Sequence, residues 1–220
     1  MIELQKARQA LLQNEIFIFS SDYGKKGVTD TKAQRLKNQV TAIGQFKDHS
    51  NYNIFTGYSN ICDVDLDCEE VRLLADEFLS PTGFEFGRKS AARSHRLYRV
   101  IDLTKKHTRT FHQFRDKPTD NCIIELRAND HYTMCMGKYD DGEKVQYTGI
   151  AKPAEINYDQ LHKDYSMLAL AAIILRKYPG DGLRNEYIKL IVAALWQYKV
   201  YQEDCTKIIN AVASAAKDEE

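Results

Sequence analysis

Apolar and acidic residues alternate in the segment Ile61-Cys62-Asp63-Val64-Asp65-Leu66-Asp67. Because successive side chains of a β-strand point to opposite faces, the alternation predicts a strand with one apolar face and one acidic face. Carboxylates that share a face repel each other, and burying them without partners costs several kcal/mol per ion. Two interpretations fit this pattern: an edge strand whose acidic face is solvated, or a cluster of oxygen ligands for a divalent cation.

The chain has a formal net charge of zero. The 220 residues include 31 basic and 31 acidic side chains, so the chain lacks the overall basic charge of many nucleic-acid-binding proteins. The length and the hydrophobic fraction of 43% suit one large domain, or one domain with a small helical addition. The 5 cysteines form no C-x-x-C pair and do not predict a structural zinc site. Without a signal peptide or a long apolar run, we expect cytoplasmic localisation and no membrane contact.

Charge is unevenly distributed along the chain. Between Arg88 and Lys117, ten basic residues stand against two acidic ones. Between Asp63 and Glu77, seven acidic residues stand against one arginine. An acidic cluster followed by a basic one suits a metal-assisted site for a polyanion, although two solvated faces of opposite sign would give the same pattern.

The remaining patterns predict a mixture of helices and strands, followed by a helical C-terminal part. We expect a helix over residues 31–43, a helix directly after Asp67, a small basic loop over residues 87–94, and strands from His95 and over residues 122–127. Residues 131–136 and 145–148 predict a hairpin around the turn Asp140-Asp141-Gly142. From residue 157 onward the apolar periodicity predicts three helices. We therefore divide the chain into domains at residues 1–155 and 156–220.

Three distinctive segments begin at residues 63, 94 and 123, so that roughly equal intervals separate them. They are Asp63-Val64-Asp65-Leu66-Asp67-Cys68, Ser94-His95-Arg96-Leu97-Tyr98 and Ile123-Ile124-Glu125-Leu126-Arg127. Their types and order resemble the archaeo-eukaryotic primase superfamily, specifically the prim-pol (bifunctional DNA primase/polymerase) domains of phages, plasmids and integrated elements. The segments 78–83 and 86–90 are similar to that family as well.

The resemblance implies an α+β catalytic domain, in which an RRM-like sheet is combined with an α/β nucleotide-binding unit. It also implies template-directed nucleotidyl transfer that makes or extends primers on single-stranded DNA. Asp65 and Asp67 match the family's acidic pair and, with Glu125, would bind Mg²⁺ or Mn²⁺. Asp63 would be a supporting metal-site acid, and a register with Asp63 and Asp65 as the pair stays open. His95 would contact the phosphates of an incoming dNTP or NTP. Further nucleotide or template contacts would come from Arg88, Lys89, Arg93, Ser94, Arg127 and Lys138.

Other interpretations of the same residues stay open. Glu125 could form a strand-face ion pair with Arg127, and His95 could be a buried strand histidine with satisfied hydrogen bonds. The whole chain could be a non-catalytic, replication-associated nucleic-acid-binding module with the same fold.

The helical C-terminal part has a shorter resemblance of its own. The segment Gly182-Leu183-Arg184-Asn185, followed by an apolar helix, resembles the PriCT-type helical domain that follows prim-pol domains. The sequence contains no G-x-x-x-x-G-K-[ST] motif. A replicative helicase would therefore be a partner on another chain or in a region missing from this sequence, and the protein would work in the host cytoplasm if a phage or plasmid encodes it.

Overall fold

The computed structural model describes residues 4–21, 32–48, 50–104, 112–117, 121–128, 131–180 and 182–217. Within these ranges the helices are α1 (Leu4–Gln13), α2 (Lys32–Lys37), α3 (Glu69–Phe78), α4 (Tyr158–Arg176), α5 (Arg184–Gln197) and α6 (Gln202–Ala215). The strands are β1 (Ile18–Ser21), β2 (Gln39–Val40), β3 (Asn51–Phe55), β4 (Ile61–Leu66), β5 (Phe84–Arg88), β6 (Ala91–Val100), β7 (His112–Arg115), β8 (Cys122–Arg127), β9 (Tyr132–Met136), β10 (Gln146–Ile150) and β11 (Ala154–Ile156).

The acidic strand β4 lies inside the larger of two sheets. This sheet has the order β10-β5-β6-β4-β8-β7 with antiparallel neighbours, and β11 pairs in parallel with β6. The α+β prediction is therefore confirmed at the level of fold class. The edge-strand interpretation of the acidic segment is wrong, because β4 has hydrogen-bonded neighbours on both sides and all six of its residues are buried.

The smaller sheet has the antiparallel order β2-β1-β3-β9. The predicted hairpin of residues 131–136 and 145–148 is wrong, because β9 pairs with β3 whereas β10 pairs with β5 of the larger sheet. The turn itself does form: the Gly142 N–H donates to the Tyr139 carbonyl at 3.0 Å, and Lys138 and Lys144 form an isolated antiparallel bridge. The turn therefore connects two sheets instead of two neighbouring strands.

Two further local predictions need correction. The helix expected over residues 31–43 ends at Lys37, and the buried Val40 instead pairs with Ile18 in a short strand. The loop expected over residues 87–94 is a tight hairpin, in which β5 continues to Arg88 and β6 begins at Ala91. Gly87 permits this hairpin, because a Cβ at its position would lie only 2.2 Å from the Ala91 carbonyl oxygen.

The larger sheet has an apolar core on each face. Cys62, Val64 and Leu66 of β4 belong to a cluster that includes residues of α3, α4 and α6, as the alternating pattern predicts for its apolar face. This core spans the expected boundary near residue 155, and the division into two domains stays a prediction. On the opposite face, residues such as Phe86 and Leu97 join a second cluster with α1 and the smaller sheet. Within the part of the chain that the structure describes, no helix has the length and apolar character needed to cross a membrane.

Candidate active site

Strand register brings the three distinctive sequence segments together at Asp65. On β4, Asp65 lies directly opposite His95 of β6 on one side and Glu125 of β8 on the other. Directly opposed residues in antiparallel strands have Cβ atoms about 5 Å apart, so their side chains interact on one face of the sheet. The His95 Nδ1 atom lies 3.4 Å from Asp65 Oδ1. Residues separated by 30 positions in the sequence are therefore neighbours in the fold.

These side chains line a cleft of about 560 Å³ between the two sheets. The smaller sheet contributes Asn51, Asn53 and Met134 to its wall. The sequence does carry a signal for the two asparagines, since they are alternate polar residues in the otherwise apolar strand β3. Most of the predicted site residues line the cleft, namely Asp65, Asp67, Arg88, Ser94, His95, Glu125, Arg127 and Lys138.

Three predicted site residues do not line the cleft. Asp63 has no exposed surface, and Lys89 is exposed in the turn between β5 and β6. Arg93 forms ion pairs of 2.8 Å with both Asp76 and Glu85. The acidic and basic sequence segments thus partly neutralise each other, and the structure does not bring Lys89 or Arg93 to the candidate site. Residues 105–111 of the basic segment lie outside the described ranges.

The basic groups at the cleft edge are held by specific partners. Arg88 Nη1 lies 2.8 Å from Asp141 Oδ2, and its guanidinium lies over the Tyr139 ring, 5.0 Å from the ring centroid. Lys138 is held through its backbone: its N–H donates to Asn51 Oδ1 at 2.9 Å, and Asn51 Nδ2 donates to its carbonyl at 3.2 Å. The turn of residues 137–143 is therefore fixed at the edge of the cleft.

Arg127 bridges the two opposed carboxylates of the cleft. Its Nη2 atom lies 2.5 Å from Asp65 Oδ2 and 2.7 Å from Glu125 Oε2. The strand-face ion pair between Glu125 and Arg127 thus exists, and Gln113 also donates a hydrogen bond to Glu125. Burial raises the pKa of Asp65 above its ordinary value, although the charges of His95 and Arg127 oppose that rise. Arg127 supplies the positive charge that this carboxylate pair requires.

Asp67 extends the acidic cluster beyond the end of β4. Its carboxylate, that of Glu125 and the Cys122 thiol have ligand atoms within 4.8 Å of one another. Burial, followed by the negative charges of Asp65 and Glu125, raises the pKa of Asp67 to about 7. Burial and the charges of Asp67 and Glu125 likewise raise the pKa of Cys122 to about 12. No sequence signal identified Cys122 as part of this cluster.

His95 is held in place by neighbours on three sides. Its ring stacks on Phe86, with centroids 4.8 Å apart and an interplanar angle of 21°. Its Nδ1 lies 3.0 Å from Asp63 Oδ2, and the Thr133 hydroxyl donates to the same oxygen at 2.6 Å. Burial lowers the pKa of His95, but the charges of Asp65 and Asp63 outweigh this and leave it raised. Sequence analysis did not identify Thr133, which lies in an ordinary strand pattern.

Comparison of this sequence with known protein families and with curated proteins gives no match. A functional assignment therefore depends on the chemistry of the cleft itself. That chemistry combines clustered carboxylates, a fixed histidine and several cationic side chains around a volume large enough for a small ligand. Such a combination suits an anionic ligand bound together with a divalent cation.

Proposed function

We propose that this chain is a DNA primase/polymerase that makes or extends primers on single-stranded DNA by metal-dependent nucleotidyl transfer. The observation that carries the proposal is the register of Asp65, which lies opposite both His95 and Glu125. In the superfamily that the sequence resembles, the corresponding segments supply the metal ligands and a phosphate contact. Their convergence in one cleft is what that chemistry requires.

We further propose that the larger sheet corresponds to the catalytic core of the archaeo-eukaryotic primases, with its RRM-like sheet and α/β unit. An antiparallel sheet with α3 packed on one face supports this proposal. Helices α4, α5 and α6 would then be the PriCT-like part. The role in replicating a phage, plasmid or integrated element, together with a helicase partner, belongs to the same proposal.

The donor set fits a divalent cation. Asp65, Asp67 and Glu125 offer carboxylate oxygens, which are the preferred ligands of Mg²⁺ and Mn²⁺. Burial, and then the negative charges of Asp65 and Glu125, raise the pKa of Asp67, and a bound cation would favour its ionised form. When bound, the cations would favour attack of a primer 3′-hydroxyl on the α-phosphate and neutralise the departing pyrophosphate.

The surrounding side chains would bind and orient the triphosphate. His95 would donate a hydrogen bond to a phosphate oxygen, and Arg88 and Lys138 would supply positive charge at the edge of the cleft. Arg127 shares the carboxylates that a cation needs, so cation binding would free its guanidinium for the anionic substrate. Ser94, which also lines the cleft, would offer a hydroxyl to the same ligand.

One observation favours a second candidate function. Because Arg127 already forms ion pairs with both Asp65 and Glu125, the carboxylate pair is tolerated in the fold without a metal ion. A non-catalytic module that binds single-stranded DNA through the same fold would keep this arrangement. Such a module would bind its template equally well in the presence of EDTA and would incorporate no nucleotide.

A primer-extension assay with dNTPs or NTPs, in Mg²⁺ or Mn²⁺, separates the two functions. The isosteric variants Asp65→Asn and Asp67→Asn should lose at least about 100-fold in incorporation rate, as is usual when a group that stabilises transition-state charge is removed. Glu186→Gln is the matched control, because Glu186 is 70% exposed on α5 and does not line the cleft. Unchanged incorporation by Asp65→Asn would refute the site. Template binding in EDTA with no incorporation by the wild type would establish the non-catalytic module.

A further inference from the structure

We infer that Asp63 and Thr133 are positioning residues that orient His95 towards the cleft, and that Asp63 is not a metal ligand. The inference rests on the proposed function, in which His95 contacts a phosphate of the nucleotide. It assigns a role to a buried carboxylate that the proposed chemistry does not use, and it adds a residue of the smaller sheet to the site.

The acidic residues of β4 differ systematically in burial. Asp67, beyond the strand end, is the most exposed of the three, Asp65 is 5% exposed, and Asp63 is fully buried. Each step of two residues along a strand covers about 6.6 Å, so Asp63 lies well inside the sheet. A cation held by Asp65, Asp67 and Glu125 would lie at the opposite, open end of this row.

The two carboxylate oxygens of Asp63 have different surroundings, and one of them holds the His95 ring. Oδ2 accepts a hydrogen bond from the Thr133 hydroxyl at 2.6 Å and lies 3.0 Å from His95 Nδ1. Oδ1 is buried and has no hydrogen-bond partner in the part of the chain described by the structure. These contacts fix the Asp63 carboxylate behind the histidine.

The histidine ring has little orientational freedom as a result. Phe86 covers one ring face, and Asp63 and Asp65 both contact Nδ1. Nε2 is then the ring nitrogen that can serve a ligand in the cleft. Carboxylates that hold the far nitrogen of a metal-binding histidine fix its tautomer and ring orientation, and their loss typically costs 10- to 100-fold in metal affinity or activity. We expect an effect of the same order for a histidine that binds a phosphate.

Thr133 extends this arrangement across the two sheets. It lies on β9 of the smaller sheet, is 1% exposed, and also accepts a hydrogen bond from Arg127 Nη1 at 3.1 Å. The packing of the smaller sheet against the larger one thus sets the position of Asp63 and, through it, of His95. Thr133→Val removes the hydroxyl while keeping the shape of the side chain, and Thr133→Ser keeps the hydroxyl.

Three measurements on the full chain test the inference. Mn²⁺ binding, followed by electron paramagnetic resonance, should be within about 2-fold of wild type in Asp63→Asn and lost in Asp65→Asn. The KM for dATP in primer extension should rise by about 10-fold in Asp63→Asn and Thr133→Val, and stay near wild type in Thr133→Ser. The third measurement is nitrogen NMR of protein with labelled histidine, in which the signal missing from His95→Gln identifies His95. The His95 Nδ1 proton should exchange faster with solvent in Asp63→Asn and Thr133→Val than in the wild type, and should not do so in Thr133→Ser.

The outcomes separate this inference from the proposed function. Loss of Mn²⁺ binding in Asp63→Asn to the extent seen in Asp65→Asn would make Asp63 a metal ligand and overturn the inference. Equal KM and equal proton exchange in Thr133→Val and Thr133→Ser would overturn it as well. If the wild type incorporates no nucleotide, the proposed function fails, whereas the proton-exchange comparison still decides the positioning role. If Asp63→Asn does not fold, the Thr133 pair decides it.

Discussion

Asp65 and Glu125 lie directly opposite each other on strands β4 and β8, and a single guanidinium bridges their carboxylates. Like charges that face each other across an antiparallel pair destabilise a sheet. Arg127 compensates for this repulsion, with contacts of 2.5 and 2.7 Å to the two carboxylates. The same pair of carboxylates is the part of the cleft that a divalent cation would use. Arg127 and the cation are therefore alternative partners for one set of ligands.

Replacing Arg127 should make the stability of the protein depend on divalent cations. Arg127→Gln removes the guanidinium that bridges the buried Asp65 and the largely buried Glu125, which should lower the free energy of unfolding by about 3–5 kcal/mol in EDTA. Binding of Mn²⁺ to the folded state should recover much of this loss. Thermal unfolding with and without Mn²⁺ measures the effect, and the rise in melting temperature should be larger in the variant than in the wild type.

Arg176→Gln is the control for this experiment. Arg176 is also a partly buried arginine paired with a carboxylate, that of Glu70, and it does not line the cleft. Its replacement should destabilise the protein without making Mn²⁺ more stabilising than in the wild type. An Arg127→Gln protein whose stability is equally low with and without Mn²⁺ would show that these carboxylates do not bind the cation.

Alanine substitutions of the basic residues near the turn between β5 and β6 should have different effects on KM and on stability. Arg88→Ala should raise the KM for the nucleotide several-fold, because its guanidinium lines the cleft. Lys89→Ala should leave KM unchanged, since this side chain is exposed in the turn and does not line the cleft. Arg93→Ala should chiefly reduce stability, by about 1 kcal/mol, because it loses partly exposed ion pairs. Equal KM effects at all three positions would contradict this division.

Local sequence patterns were sufficient for the elements that carry the site. The alternation of residues 61–67 predicts β4 and its apolar face, and the apolar periodicity predicts α3 and the C-terminal helices. These predictions succeed because burial and strand alternation act over a few neighbouring residues. The grouping of Asp65, His95 and Glu125 in one site was instead implied by the family resemblance, and the register of three adjacent strands brings these residues together.

Features that depend on distant partners could not be predicted in this way. The Asp140-Asp141-Gly142 signal correctly predicts a turn, but the partners of β9 and β10 are set by tertiary packing on two different sheets. Thr133 has no local signature, because its role depends on Asp63, which lies 70 residues earlier in the chain. The ion pairs of Arg93, which remove it from the cleft, likewise involve residues of other elements.

Replacing Gly137 even with alanine should affect both the stability of the protein and its binding of the nucleotide. It has a φ of +126°, and a Cβ at this position would lie 1.9 Å from Asn51 Oδ1, the atom that holds the Lys138 backbone. Gly137→Ala should therefore lower the free energy of unfolding by about 1–3 kcal/mol and raise the KM for the nucleotide by displacing Lys138. Urea denaturation and primer-extension kinetics measure both effects.

Gly44→Ala is the matched control for that substitution. A Cβ at Gly44 meets no atom within 4 Å, so this variant should behave like the wild type. A Gly137→Ala protein with unchanged stability and unchanged KM would contradict the role of Asn51 in fixing the turn at the cleft.

The ion pair between α3 and α4 should give a pH-dependent contribution to stability. Hydrogen bonds from Arg176, at 2.8 and 3.0 Å, lower the pKa of Glu70 from 4.5 to about 2. Because the folded pKa is the lower one, the stabilisation is fully present above the unfolded value and is lost as the pH falls through the folded value. After allowance for solvent screening of this partly exposed pair, Glu70→Gln should cost about 1 kcal/mol near neutral pH.

Urea denaturation of both proteins over a range of pH tests this linkage. The difference between wild type and Glu70→Gln should be constant above the ordinary pKa of 4.5 and shrink as the pH approaches about 2. Lys189→Gln, which removes an ion pair between side chains that are both at least 70% exposed, should cost less at every pH. A difference between wild type and Glu70→Gln that persists unchanged into strong acid would show that Arg176 does not stabilise the ionised Glu70.

The most direct measurement is the anomalous scattering of Mn²⁺ in crystals soaked with MnCl₂ and a non-hydrolysable deoxynucleoside triphosphate. We expect an anomalous peak bonded to carboxylate oxygens of Asp65, Asp67 and Glu125, with a phosphate oxygen near His95 Nε2. We expect no direct bond from the metal to Asp63. Absence of a peak at these three carboxylates while the nucleotide is bound, or a peak that persists unchanged in crystals of Asp65→Asn, would contradict it.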